Sequence, residues 1–316
     1  MNALLDRIVA ASGVPDLVDI LAARLSPTDL QSLLLEVYDR RSSARSPADL
    51  LADYEKSRFF GAASLTPADA AEWDAVLSTS AGDCQFLTLS PMAPLGACAV
   101  VAPVGQSWSV PTVRTGEVVS DATNVLAIEA ALLRRAAAKR DPKSQEIVHL
   151  ATTHRVVRPQ AYAKPGLLAH FALSAMVSAG RDRGSLGFEA AALHAQIGAW
   201  LTAYRRYFGP KLRLGISYTL PRPGNPDARL EALRALAEAH NAELIEDAER
   251  SAANGYYAGF CFHLLGGWPD GELRQLADGG MVDWTAKLLG NAKERLLISG
   301  CGVEGLVALR GQGASV

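Results

Sequence analysis

The chain has 316 residues, 49% hydrophobic and 20% charged, with a formal net charge of −2. That balance provides ample material for a core and argues against a protein whose main task is gripping a nucleic-acid backbone. Cys84, Cys98, Cys261 and Cys301 are scattered, with no CxxC pair and no histidine at ligand spacing, so neither a structural metal nor a disulfide framework is expected. Asp6 and Arg7 interrupt the first apolar run, and nowhere do 18 apolar residues stand together. The sequence therefore predicts a cytoplasmic protein with no membrane segment.

Three helix starts of one type come first: "SPTDL" from Ser26, "SPADL" from Ser46 and "TPADA" from Thr66. In each, a hydroxyl caps free backbone N–H groups, and proline takes the first helical position, where its missing donor costs nothing. Residues 1–80 are thus expected to form a helical N-terminal region, and 81–316 the main domain. After "AGD" at Ala81 the character turns to β-rich segments, "CQFLTLSPMAPLG" and "CAVVAPV", whose prolines suit edges. "SDATNVLAIEAALLRRAAAKR" reads as a helix capped by Ser120 or Asp121. "EIVHLATTHRVVR" and "LLAHFALSAMV" read as paired strands. "FEAAALHAQIGAWLTAYRRYF" is a long amphipathic helix with Ala192, Ile197, Leu201 and Tyr204 among its core positions. "LRLGISYTL" is a strand, "DARLEALRALAEAHNAELI" a helix, "GYYAGFCFHLL" with "ELRQLADGG" a hairpin, and "VEGLVALR" a closing helix. The mixture predicts an α+β fold with a mixed, mainly antiparallel sheet flanked by helices.

Several short stretches invite a chemical reading. "THRVVRPQ" ends a strand with Arg155 and Arg158, whose planar forks suit a carboxylate or phosphate; solvated strand-end arginines are the plainer reading. Asp121 can be a simple N-cap, and the tyrosines of "GYYAGFCF" can be core aromatics. "SAGRDRGS" is a charged turn of the solvated kind. No phosphate-binding loop or dinucleotide fingerprint is present.

Taken in order, "SDAT", "HRVVRPQ", "GYYAGFCF", "DGGMVD" and "SGCGVEGLVAL" resemble the catalytic core of class II aminoacyl-tRNA synthetases, most closely the histidyl branch, over about Ser120 to Leu309. The resemblance implies that Asp121 and Thr123 hold a substrate ammonium. It implies that Arg155 meets its carboxylate or the α-phosphate of ATP, with Arg158 and Gln160 on the following loop, and that Tyr256 and Tyr257 line the pocket. His170 falls near a side-chain-reading glutamine, and Asp283 closes the "DGGMVD" segment. The departures matter equally. The motif-two glutamate is Val157, the motif-three arginine is Gly305, the arginine preceding the tyrosines is Ala252 with Arg250 two places off, and the imidazole-reading glutamate is Ser174. Losing one oriented donor to transition-state charge costs about 3 kcal/mol, so ATP and magnesium are doubtful cofactors, histidine is a poor guess for the ligand, and no catalytic residue is assigned. The sequence closes soon after Leu309, where histidyl enzymes continue into an anticodon-binding domain, so tRNA is an improbable partner.

The resemblance extends to the regulatory subunit of ATP phosphoribosyltransferase. Its first implication is a degenerate paralogue that binds an amino acid or related molecule as a regulatory or pseudoenzyme module. The alternative is an ATP-dependent enzyme activating an amino acid for an acceptor other than tRNA. A third reading is an interaction protein whose N-terminal helices meet a protein partner. The resemblance also implies a homodimer through the segment around "FLTLSPMAPLGA".

Overall fold

The computed structural model describes residues 3–160, 168–220, 227–247, 250 and 255–313. The chain begins with α1 (Ala3–Ser12) and α2 (Leu17–Asp19), followed by α3 (Pro27–Ser43), α4 (Pro47–Lys56) and α5 (Pro67–Ser80). Ser26, Ser46 and Thr66 cap the last three, each side chain accepting from the backbone N–H of the aspartate three residues on. The cap settles where these helices start; packing separates them. Helices α1 to α4 contribute no buried residue, whereas α5 buries Trp73 and Leu77 completely. By packing, α5 belongs with the sheet that follows, although it precedes residue 80.

Short strands β1 (Gln85–Phe86), β2 (Met92–Pro94), β3 (Val110–Pro111) and β4 (Gly116–Val118) lead into α6 (Ala122–Arg140). Then come β5 (Val148–Val157), β6 (His170–Arg181), α7 (Gly187–Phe208), β7 (Arg213–Thr219), α8 (Ala228–His240) and β8 (Ala242–Glu246). The chain finishes with β9 (Cys261–Gly267), β10 (Arg274–Val282), α9 (Trp284–Leu289), β11 (Glu294–Gly302) and α10 (Val303–Gly313). One eight-stranded sheet runs β1-β5-β6-β11-β10-β9-β7-β8, and a small sheet runs β2-β4-β3. In the large sheet only the outer pairs β1–β5 and β7–β8 are parallel. The expected α+β architecture with a mainly antiparallel sheet is the one observed.

"CAVVAPV" departs from expectation. Gly96, at φ +94°, turns the chain into a short π-helical segment, Ala97–Val101. The buried carboxylate of Glu117 holds it there, accepting from the N–H groups of Gly96 at 2.9 Å and Cys98 at 2.7 Å and from Gln106 Nε2 at 2.6 Å. Local donors that a strand would have offered to a neighbour are spent on one side chain instead.

Alternation along the strands gives the sheet two differently covered faces. Ala151, Met176, Phe262 and Leu297 pack with Trp73, Trp200, Leu233 and Leu306 from α5, α7, α8 and α10. Leu150, Val177, Cys261 and Ile298 pack with Leu126 of α6 and Trp284 of α9. Ala192, Ile197, Leu201 and Tyr204 are fully buried, as the helical period predicts.

Burial within these strands also sets a pH response. His149 and His154 on β5 and His263 on β9 are held below the ordinary histidine pKa of 6.5, chiefly by desolvation, and the His154 Nε2 is buried without a partner. The native state therefore disfavours their protonation while the unfolded chain accepts it. Stability is full above about pH 6.5 and is lost as pH falls below it. Urea midpoints are expected to drop between pH 7.5 and 5.5 by a smaller amount in His154→Leu than in the parent; an equal drop would remove His154 from the account.

Candidate functional site

On the face of the sheet that carries α6 lies a cavity of about 910 Å³. Its floor is the end of β11, where Gly300 and Gly302 lie beside Phe171 and Leu173 of β6. A methyl group added at Gly302 or at Gly305 would meet nothing within 4 Å. Ala102, Pro103, Val104 and Trp108, delivered by the segment hung on Glu117, form an apolar wall.

Polar groups enter from three directions. Asp121 caps α6: Oδ1 accepts from the Thr123 backbone N–H at 2.9 Å and from Thr123 Oγ1 at 2.8 Å. Its Oδ2 accepts from Arg158 Nη2 at 3.0 Å, while Arg158 Nε donates to the Ser120 carbonyl at 3.0 Å and the guanidinium lies 5.1 Å from the Phe171 ring. The plain capping role and the wall position belong to the same residue.

Tyr256 and Tyr257 stand in the turn before β9 rather than on a strand, packed edge to face with ring centroids 5.0 Å apart. Gly280 of β10 makes room for them, since a Cβ there would come within 2.5 Å of the Tyr257 ring. Burial, with the nearby Asp121 and Asp278 carboxylates adding to it, pushes both phenols well above their ordinary pKa. They are neutral hydroxyl donors at any physiological pH.

Asp278 of β10 completes that side, accepting from Arg250 Nη2 at 2.9 Å and from the Tyr257 hydroxyl. At the opposite rim Glu304 opens α10. Its two oxygens lie 3.1 and 3.0 Å from the Ala172 N–H, and Oε1 is 3.4 Å from Arg155 Nη2.

Of the residues expected to bind ligand, Asp121, Thr123, Arg158, Tyr256 and Tyr257 line the cavity together. Arg155, Gln160, His170 and Asp283 do not. Arg155 shares the opposite face of the sheet with Ala151 and Thr153, because residues separated by an even number along a strand point the same way. There its Nε donates to His170 Nδ1 at 2.8 Å, and His170 Nε2 in turn donates to the Gly61 carbonyl at 2.7 Å. The pocket guanidinium is Arg158, not Arg155. Gln160 has its side-chain amide buried without partners outside the cavity. Asp283 is exposed and bound to Lys287 at 2.9 Å. Ser174 faces away from the cavity and accepts from Trp73 Nε1 at 2.8 Å. Ala252 lies outside the described residues, while Arg250 reaches the site through Asp278.

Asn124, Asp278, Glu304 and Trp108 also line the cavity and were not expected. Asn124 had a signal within reach, one position beyond Thr123 in the first turn of a helix whose cap was recognised. Asp278 and Glu304 stand inside "DGGMVD" and "SGCGVEGLVAL" but were not singled out there, and Trp108 had no signal, since it arrives from a separate segment. The pairs Arg158–Asp121 and Arg250–Asp278 border the site, and Glu304 at its rim pairs with Arg155 from the opposite face. Among the described residues no group of three or more His, Cys, Asp or Glu could hold a metal ion, and no helix is long and apolar enough to cross a membrane.

No protein-family model matches this sequence, and no curated protein matches it. Solved structures do match the fold. The apo histidyl-tRNA synthetase of S. aureus superposes with a TM-score of 0.55 at 14% identity over 79% of this chain and 69% of that one. An ATP phosphoribosyltransferase regulatory subunit/histidyl-tRNA synthetase from Bacillus halodurans gives 0.55 at 12% over 79% and 82%. A histidyl-tRNA synthetase from Nostoc gives 0.55 at 10% over 82% and 74%. The chain shares the fold of the class II aminoacyl-tRNA synthetase core.

Proposed function

We propose that this chain binds a small amino-acid-like zwitterion in the cavity and acts as a regulatory or pseudoenzyme module built on a synthetase-like core. The observation that carries the reading is the Arg158–Asp121 pair in the cavity wall, 3.0 Å apart and beside two neutral tyrosines. A ligand carboxylate meets the guanidinium, and its ammonium meets the carboxylate and the faces of the rings. Two opposite charges held side by side in a largely apolar cavity suit a molecule that carries the same two charges.

The reading without ATP rests on the other end. Gly305 offers open space where the synthetase pattern has a guanidinium, and Arg155 and Arg250 are already turned onto Glu304 and Asp278. A triphosphate entering here would have to compete with three carboxylates for every arginine nearby. Among the described residues, position 305 supplies no guanidinium for ATP-dependent activation toward an acceptor other than tRNA.

Thermal shift across the twenty amino acids, with and without ATP, is the test. Stabilisation by an amino acid alone is expected. Asp121→Asn keeps an acceptor for the helix cap but removes the charge, and a charged hydrogen bond is worth about 1.5–3 kcal/mol. Affinity should fall by about tenfold or more while the apo melting temperature changes little. Amino-acid-dependent pyrophosphate exchange would overturn the pseudoenzyme reading.

A further inference from the structure

The charged side chains of the cavity are already matched: Asp121 with Arg158, Asp278 with Arg250 and Glu304 with Arg155. Thr123 Oγ1 donates to Asp121 and Ser299 Oγ to Gln196 Oε1. A ligand side chain that carried a charge of its own would give up water without gaining an unoccupied partner among these groups.

Much of the remaining lining is apolar and comes from two sides. Leu173 of β6 lies over the floor, its Cδ1 3.2 Å from where a Cβ on Gly300 would stand. The other side is the segment hung on Glu117, which brings Val104 and Trp108. That segment starts next to the Arg158–Asp121 pair, because Cys98 is hydrogen-bonded to the side chain of Ser120, one residue before Asp121.

Trp108 stands out within it. The residue is 45% exposed, whereas Trp73, Trp200 and Trp284 are 0, 0 and 1% exposed. The turn that carries it is nevertheless well tied. The Trp108 N–H donates to the Gly105 carbonyl at 3.0 Å, and Gln106 Nε2 donates to Ser109 Oγ at 2.7 Å and to Glu117 Oε2 at 2.6 Å. A large indole on a fixed turn, lining a cavity with nearly half its surface uncovered, is a preformed contact for an apolar group.

From these observations we infer that the ligand is an amino acid with a large apolar side chain, aromatic or branched aliphatic, and that Trp108 sets this preference. The α-carboxylate and ammonium engage Arg158 and Asp121, and the side chain packs on Val104 and Trp108, displacing water from them. The inference rests on the amino-acid-binding reading of the same cavity and names its substrate class.

Isothermal titration of the full chain with phenylalanine and leucine, set against serine, lysine and glutamate, tests the class. The first two should bind at least about tenfold tighter, the discrimination that apolar contacts in a pocket typically give. Acrylamide quenching of tryptophan emission tests the place: Trp108 is the most exposed tryptophan, so saturating phenylalanine should protect the parent from quenching. Trp108→Ala should weaken phenylalanine about tenfold with little change in the apo melting temperature. Trp108→Phe keeps a flat ring and should bind phenylalanine nearly as the parent does, without the ligand-dependent protection. Serine or lysine binding as tightly as phenylalanine, quenching that phenylalanine leaves unchanged in the parent, or a Trp108→Ala protein of parental affinity would overturn the assignment and leave the wider reading standing. Absence of binding by all twenty amino acids would overturn both.

Discussion

Arg134→Met is expected to lower the free energy of unfolding by about 3–5 kcal/mol, the usual consequence of removing one partner from a buried ion pair. Arg134 is 1% exposed and Glu294 2%. The guanidinium forks onto the carboxylate, Nε to Oε2 at 2.9 Å and Nη2 to Oε1 at 3.0 Å, while Nη1 donates to the Glu146 carbonyl at 2.7 Å. Without Arg134, Glu294 is left as a charge in a site shielded from water. Arg134→Met combined with Glu294→Leu should recover much of the loss, because it removes both charges and keeps volume. The pair bears on the site as well as on stability. It ties the body of α6 to the start of β11, and these two elements carry Asp121 and the glycine floor at their other ends. Urea unfolding of the two single variants and the double variant provides the check. Single variants within 1 kcal/mol of the parent would show that the pair does not anchor α6.

Trp73→Ala is expected to cost a similar amount, about 3–5 kcal/mol, through the cavity it leaves. The Trp73 ring is fully buried between α5 and the sheet. It stacks on Trp200 at 6.3 Å and Tyr204 at 6.0 Å and meets Tyr207 edge-on at 5.2 Å. Its Nε1 donates to Ser174 Oγ, which also pairs with Thr153 Oγ1 at 2.8 Å. Trp73→Phe should lose less, because it keeps an aromatic ring in the stack while giving up the donor. Since this cluster lies on the face away from the cavity, ligand selectivity of whatever folded protein remains should be unchanged. A change in selectivity would mean that the two faces communicate through Ser174.

The caps at Ser26, Ser46, Thr66 and Asp121 were legible because they act within three residues of themselves. The pair Arg155 and Arg158 is more instructive. Both were expected to meet ligand, but Arg158 follows the last residue of β5 and turns to Asp121, whereas Arg155 turns to His170 on the other face. Which of them faces the ligand was not legible, because nothing within the octapeptide says whether α6 or α7 covers a given face. The same limit applies to Ser174, whose place in a motif suggested a pocket and whose place in the sheet points it at Trp73. Tyr256 and Tyr257 line the cavity from a turn rather than from the strand expected for them.

By itself the sequence determined the order and type of most elements, the helix starts, the apolar periods that bury one face, and the loss of a guanidinium at Gly305. These follow from short-range rules: capping hydrogen bonds, the 3.6 and 2 residue periods, and the identity of single side chains. The tertiary structure alone decided that Arg158 rather than Arg155 meets Asp121, that Arg250 reaches Asp278, and that Glu117 folds "CAVVAPV" into a cavity wall. Each of these pairs a charge with a partner from a separate segment. The energy of such a pair depends on distance and burial, and neither exists until the sheet has brought the segments together.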